Sequence, residues 1–174
     1  MVTTKGPFFY YFAFGSNLLQ ERIRIMNKGA VFHHIGLLEG YRLTFVEYGK
    51  RWKGGVASVI QSAEDHVWGC VWKVPEEFST TLDIQEAGYH RLEVPVLSDG
   101  ETITCRTYQY SGDHEHFHAP SPHYKTVIVT GAKEHSLPSD YLKKLETMPD
   151  NGFVGRVDVE VEAIKHMQVD VQPN

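Results

Sequence analysis

Within the stretch PEEFSTTLDIQEAGYHR, one carboxylate stands apart by its position. An apolar stripe at helical spacing runs through Phe78 and Leu82, and four residues further along the same face lies Glu86. Asp83, Glu76 and Glu77 fall on other faces and read as solvated. A carboxylate aimed inward at the C-terminal end of a helix is disfavoured as an anion twice over, by desolvation and by the helix dipole. Both effects raise its pKa, which suits a glutamate that takes up and returns a proton near neutral pH. The structural alternative is that Glu86 neutralises a buried cation such as Arg91.

A second candidate is the triplet Gly15-Ser16-Asn17, which ends the apolar run FFYYFAF and leads straight into LLQERI. Backbone N–H groups at a helix start bind carboxylates and phosphates. The plain alternative is a capped helix start, with Asn17 as N-cap and Gln20 three residues on in a variant capping box. No phosphate loop with lysine and no long glycine fingerprint is present, so nucleotide binding is not indicated.

His114, His116, His118 and His123 cluster in DHEHFHAPSPHY. On a strand, alternate histidines would share a face and hold zinc. Gly112, Pro120 and Pro122 make this stretch read as a solvated loop instead, and no metal is expected. Ser16 is not in a nucleophile-elbow pattern. Neither Cys70 nor Cys105 has the electropositive surroundings that lower a thiol pKa.

These residues need a scaffold, and the chain is long enough to build one. Its 174 residues fit a single domain, expected over 1–174 with a core at about 8–165. A hydrophobic content of 41% supports a real core, whereas a net charge of −5 and a pI near 6.0 offer no basic face to nucleic acid or an acidic membrane. Two cysteines in strand-like apolar runs read as buried, reduced residues. Lys5, Gly6 and Pro7 interrupt the N-terminus before any secretory apolar region forms, and no apolar run approaches a membrane span, so the expected compartment is the cytoplasm.

Apolar periodicity predicts strands at Phe8–Phe14, Ala30–Leu37, Tyr41–Glu47, Val56–Ile60 and Val67–Val74, with Gln61–His66 as a hairpin turn. HRLEVPVLSDGETITCRTYQY predicts a further hairpin about Ser98-Asp99-Gly100, and YKTVIVTGA one more short strand. Helices are predicted at Leu18–Met26, Pro75–Glu86 and Pro138–Met148. The tail VDVEVEAI fits either a strand or a helix, and helix is preferred. Mostly antiparallel strands with separate helices make the class α+β.

Taken together in chain order, YFAFGSNLLQERI, GGVASVIQS with VWGCVWKV, LDIQEAGYHR, ITCRTYQY, PSPHYKTVIVTGAKEHSLPSDYLKKL and GRVDVEVEAI resemble the γ-glutamylcyclotransferases of animals, from about Tyr10 to Ile164. The resemblance implies a small mixed β-barrel with flanking helices. It implies cyclisation of a γ-glutamyl amino acid to 5-oxoproline with release of the free amino acid, and no metal or organic cofactor. By position, Glu86 is the acid/base, Phe14, Gly15, Ser16, Asn17, Leu18 and Leu19 form the loop that binds the glutamyl end, and Tyr124 lines the cavity. A small γ-glutamyl compound is the implied partner, with a homodimer as the implied assembly.

Two departures from that pattern stand out. Phe14 replaces the usual tyrosine before the glycine of the loop, and Ala87-Gly88-Tyr89 is shorter than the usual segment after the glutamate. A binding module without catalysis on the same fold is the competing expectation.

Overall fold

The computed structural model describes residues 6–171. Five strands close into a barrel in the order β1–β3–β2–β4–β5, where β1 is Phe8–Ala13, β2 Val31–Gly49, β3 Gly54–Pro75, β4 Tyr89–Ser98 and β5 Glu101–Tyr110. All neighbours are antiparallel except β1 and β5, which meet in parallel at Tyr11 and Arg106 and close the barrel. The architecture is the small mixed barrel with helices that the resemblance implied. The aromatic run is β1. Its consecutive residues Tyr11, Phe12 and Ala13 are all buried, as a strand covered on both faces requires.

Among the described residues, four α-helices attach to the barrel: α1 (Gln20–Ile23), α2 (Ser79–Gln85), α3 (Pro122–Glu134) and α4 (Ser139–Thr147). The buried apolar cluster draws on residues from Tyr11 to Ile164.

Several expectations need correction. Gln61–His66 does not reverse the chain: β3 runs through it, pairing Gln61 with Tyr41 and His66 with Glu39 of β2, while residues 62–65 bulge out without a β2 partner. The polar composition there reports an exposed bulge in the strand rather than a chain reversal. The reversal lies at residues 50–53, where the Lys53 N–H donates to the Gly49 carbonyl. The two strands expected at Ala30–Leu37 and Tyr41–Glu47 are likewise one strand, carried through an irregularity between Glu39 and Tyr41 by Gly40 at φ +79°.

YKTVIVTGA is helical, not extended. Ser121 accepts the Tyr124 N–H, Pro122 sits in the first turn, and Tyr124, Val127, Ile128, Gly131 and Ala132 are buried at helical spacing. Capping and packing override the β-preference of its branched residues. The segment expected as helix Leu18–Met26 breaks into a 3-10 turn at Ser16–Leu18 and the short α1. The tail forms no long helix: Gly155, Val157, Val159 and Val161 bury alternately in an extended stretch, and only Glu162–Met167 coils, as a 3-10 turn.

Candidate active site

The end of β1, the β2–β3 turn, the starts of β3 and β4 and the end of β5 all lie at one end of the barrel, as the antiparallel order dictates. There the structure holds a cavity of about 280 Å³. Glu86 and the Gly15–Asn17 turn, far apart in the chain, both line it, together with Phe14 and Tyr124.

Glu86 sits one residue past α2 as its C-cap. Leu82, one turn earlier, is sealed in the core and carries Glu86 toward the cavity, as the Phe78–Leu82 stripe predicts. Burial pushes the Glu86 carboxyl up to about 7, with the charges of Arg22 and Arg51 and the Tyr11 hydroxyl pulling the other way. The proposed pairing with Arg91 does not occur. Arg91 is held by Asp83, whose carboxylate also accepts the Tyr108 hydroxyl at 2.6 Å. Asp83 is therefore part of a polar cluster rather than simply solvated.

The turn after β1 opens as a 3-10 turn whose own bonds begin with the Leu18 N–H to Gly15 and the Leu19 N–H to Ser16. The N–H groups of Gly15, Ser16 and Asn17 precede the first of those donors. A Cβ on Gly15 would stand 3.3 Å from both the Tyr124 hydroxyl and the Ala57 Cβ, so glycine keeps this wall open. Asn17 is no N-cap: no side chain caps the turn. Instead Asn17 is buried and its Nδ2 donates to the Tyr11 hydroxyl at 3.1 Å. Nor does Gln20 complete a capping box. Its own N–H is capped from α3 by Glu134 at 3.0 Å.

Leu18 and Leu19 do not line the cavity. Both are core residues, and their N–H groups are engaged in the turn. They brace the turn from behind, against α3. There a Cβ on Gly131 would come within 2.6 Å of the Leu19 nitrogen, so only glycine lets the two elements approach.

Tyr124 reaches across from α3 to accept the Ala57 N–H at 3.1 Å, and Tyr89 donates to the Ala57 carbonyl at 2.8 Å. Two tyrosines thus clamp both backbone groups of one β3 residue. Burial raises the pKa of Tyr11, Tyr89, Tyr108 and Tyr124, so all four remain hydroxyls around the cavity. Trp52 from the β2–β3 turn stacks on Tyr124 at 4.7 Å, and Arg22 lies over the Trp52 ring at 5.8 Å.

Sequence reasoning missed Tyr11, Arg22, Arg51, Trp52, Tyr89 and Tyr108. Arg22 left a trace: it lies four residues after Leu18 and three after Leu19, within the apolar stripe of its segment. The others carry no signal before the barrel closes.

The histidine stretch takes no part. His114 bonds to Ser58, His116 to Asp113, and His123 is buried on α3, where its Nε2 donates to carbonyls of Gly155 and Met167. Among the described residues no three His, Cys, Asp or Glu come together as a metal-holding set. Cys70 and Cys105 are buried free thiols whose pKa values burial raises, the second to about 12. Among the described residues, no helix is long and apolar enough to cross a membrane.

A carboxyl that titrates near neutrality, facing a turn of early backbone donors, can exchange protons with a polar substrate while the donors hold an oxygen anion. Comparison with known proteins agrees in direction. Residues 66–145 match the family model described as the AIG2-like family. A protein of Bos taurus named gamma-glutamylcyclotransferase is 41% identical over 168 residues, covering 91% of this chain and 88% of its own. Its namesake in Homo sapiens is 40% identical, covering 90% of this chain and 87% of its own. A solved structure named gamma-glutamyl cyclotransferase superposes with a TM-score of 0.85 at 38% identity, covering 92% of this chain and 97% of that one.

Proposed function

The chain belongs to the γ-glutamylcyclotransferase family, and from that premise we propose that it cyclises γ-glutamyl amino acids to 5-oxoproline, with Glu86 as the acid/base. The observation that carries the assignment of Glu86 is its carboxyl, raised to about 7 inside the cavity walled by Gly15–Asn17.

The substrate's α-ammonium gives a proton to Glu86 and becomes a nucleophile. Its nitrogen then attacks the γ-amide carbonyl. The N–C bond closes a five-membered ring, and the carbonyl π electrons move to oxygen. Early N–H groups of the Gly15–Asn17 turn stabilise that oxyanion. On collapse, the amide C–N bond breaks and Glu86 returns a proton to the departing nitrogen. Two protons in all pass from the α-nitrogen to the leaving nitrogen, so the reaction balances without a co-reactant. Because attack is intramolecular, much of the gain comes from holding a folded conformer, which a cavity of about 280 Å³ with rigid, clamped walls supports.

The same reading treats the chain as one domain acting in the cytoplasm in glutathione-related metabolism, and as a homodimer. The continuous core from Tyr11 to Ile164 supports the first part, and two buried free thiols suit a reducing compartment. Analytical ultracentrifugation tests the dimer. The function itself is tested with purified protein and γ-glutamyl-alanine. 5-Oxoproline should form, and Glu86→Gln should abolish turnover while the circular dichroism spectrum stays unchanged. Near-normal turnover by Glu86→Gln would remove Glu86 from the role.

A further inference from the structure

Arg22 is 5% exposed, yet among the described residues its guanidinium makes neither a hydrogen bond nor an ion pair, and its Nε is sealed without a partner. It lines the catalytic cavity, resting over Trp52. A buried cation with no anion is costly, and proteins normally compensate it. Arg91, exposed on the surface, has such compensation from Asp83. Glu86 is the one acidic residue among those lining the cavity; its charge reaches Arg22, but the two are not joined by a hydrogen bond or salt bridge. Arg22 also borders the adjoining cleft with Asp158 and Glu160, yet neither of these carboxylates bonds to it, so a ligand carboxylate in the cavity can complete the pair.

Resting on the cyclotransferase function proposed above, we infer that Arg22 binds the α-carboxylate of the substrate's glutamyl moiety. The α-carbon of that moiety bears an ammonium and a carboxylate side by side. The ammonium must reach Glu86 to lose its proton, so the carboxylate beside it lands next to Glu86, where Arg22 supplies the buried positive charge. A planar guanidinium donates two parallel N–H bonds to the oxygens of one carboxylate. The substrate's other carboxylate, on the departing amino acid, lies several bonds away. Arg51 is the arginine suited to it, exposed on the β2–β3 turn and lining both the catalytic cavity and the adjoining cleft with Ile25, Met26 and Asp158. With the α-carboxylate on Arg22, the N–H groups of the Gly15–Asn17 turn are left to the oxyanion.

The test measures binding in the Glu86→Gln background, where no ligand is consumed, with and without Arg22→Met. Three ligands are compared by competition calorimetry: γ-glutamyl-alanine, γ-glutamyl-ethylamide, which lacks the leaving-side carboxylate, and 4-aminobutyryl-alanine, which lacks the α-carboxylate. Arg22→Met should weaken the first two on the order of a hundredfold. It should change the third by less than about threefold, within the cost of a lost neutral contact. An equal loss for all three would make Arg22 a packing residue and overturn the inference. A loss that disappears with γ-glutamyl-ethylamide would assign Arg22 to the other carboxylate, which overturns it as well. The melting temperature of ligand-free Arg22→Met should match or exceed that of the parent, because a buried unpaired charge is gone. If Arg22→Met does not fold, Arg22→Lys replaces it, with a smaller loss expected for the same two ligands. Absence of 5-oxoproline from the native protein would refute the function alone, since the binding comparison decides Arg22 separately.

Discussion

Asp83 and Glu86 lie three residues apart at the end of one short helix, and the fold treats them in opposite ways. Asp83 faces β4 and β5, where Arg91 and the Tyr108 hydroxyl bind it and Arg106 stands 4.0 Å away. The bonds from Arg91, with lesser help from Tyr108 and Arg106, hold its carboxyl below the usual range. Glu86 turns into a cavity whose cations stay out of contact, and burial raises it to about 7. Arg91 and Arg22 repeat the contrast among cations, one exposed and paired, the other buried and alone. A completed ion pair is structure. An incomplete one, placed in a cavity, is available to a ligand.

The sharpest way to break this contrast is to neutralise each carboxylate in turn. Glu86→Gln should lower kcat/KM for γ-glutamyl-alanine on the order of a thousandfold. Asp83→Asn should leave it within the several-fold range expected away from the reacting groups, as steady-state assays would read.

pH separates the two residues by sign. Because Glu86 must be ionised to accept a proton, kcat/KM should fall tenfold per unit below about pH 7. Its raised pKa stabilises the fold below the unfolded value, and that contribution is lost as pH rises through 7. Glu86→Gln should then be more stable than the native chain above pH 7, by at most about 3 kcal/mol, with the difference vanishing in acid. Asp83 is depressed instead, so its stabilisation is present at neutral pH and lost as pH falls through its folded pKa. Asp83→Asn should cost less than about 1 kcal/mol at neutral pH, since the pair is half-exposed, and nothing in acid. Urea denaturation across pH 3 to about 9 measures both.

Tyr124→Phe leaves the buried Ala57 N–H unpaired and should cost about 1–3 kcal/mol, with KM rising as the wall loosens. The smallest effect is expected at Phe14, where Phe14→Tyr adds the hydroxyl that the resemblance leads one to expect there. Stability should change by less than about 1 kcal/mol, and comparing KM over several γ-glutamyl substrates shows whether that hydroxyl alters selection.

What was legible beforehand follows the range of the signal. Helical spacing from Phe78 through Leu82 located Glu86, because its aim is set by neighbours one turn away. The Gly15–Asn17 turn was visible for the same reason, at a sharp change from strand to helical pattern. Expectation and structure part where a local pattern has two outcomes. Polar 61–66 fits a turn or an exposed strand, and the continued pairing with β2 on either side of it decided for a bulged strand. The branched residues of 126–130 fit a strand or a buried helix face, and Ser121 together with packing on the 16–19 turn decided that.

The amino-acid sequence by itself determined the apolar strands that form a barrel, an inward carboxylate at a helix end, and a donor-rich turn after β1. Tertiary structure alone decided that Arg91 goes to Asp83 while Arg22 stays unpaired, and that Tyr89 and Tyr124 grip the same residue of β3. The reason is physical. Side-chain periodicity is a property of a few consecutive residues, whereas the company a charge keeps is set by barrel closure, which joins segments remote in the chain and determines which charges are left without partners.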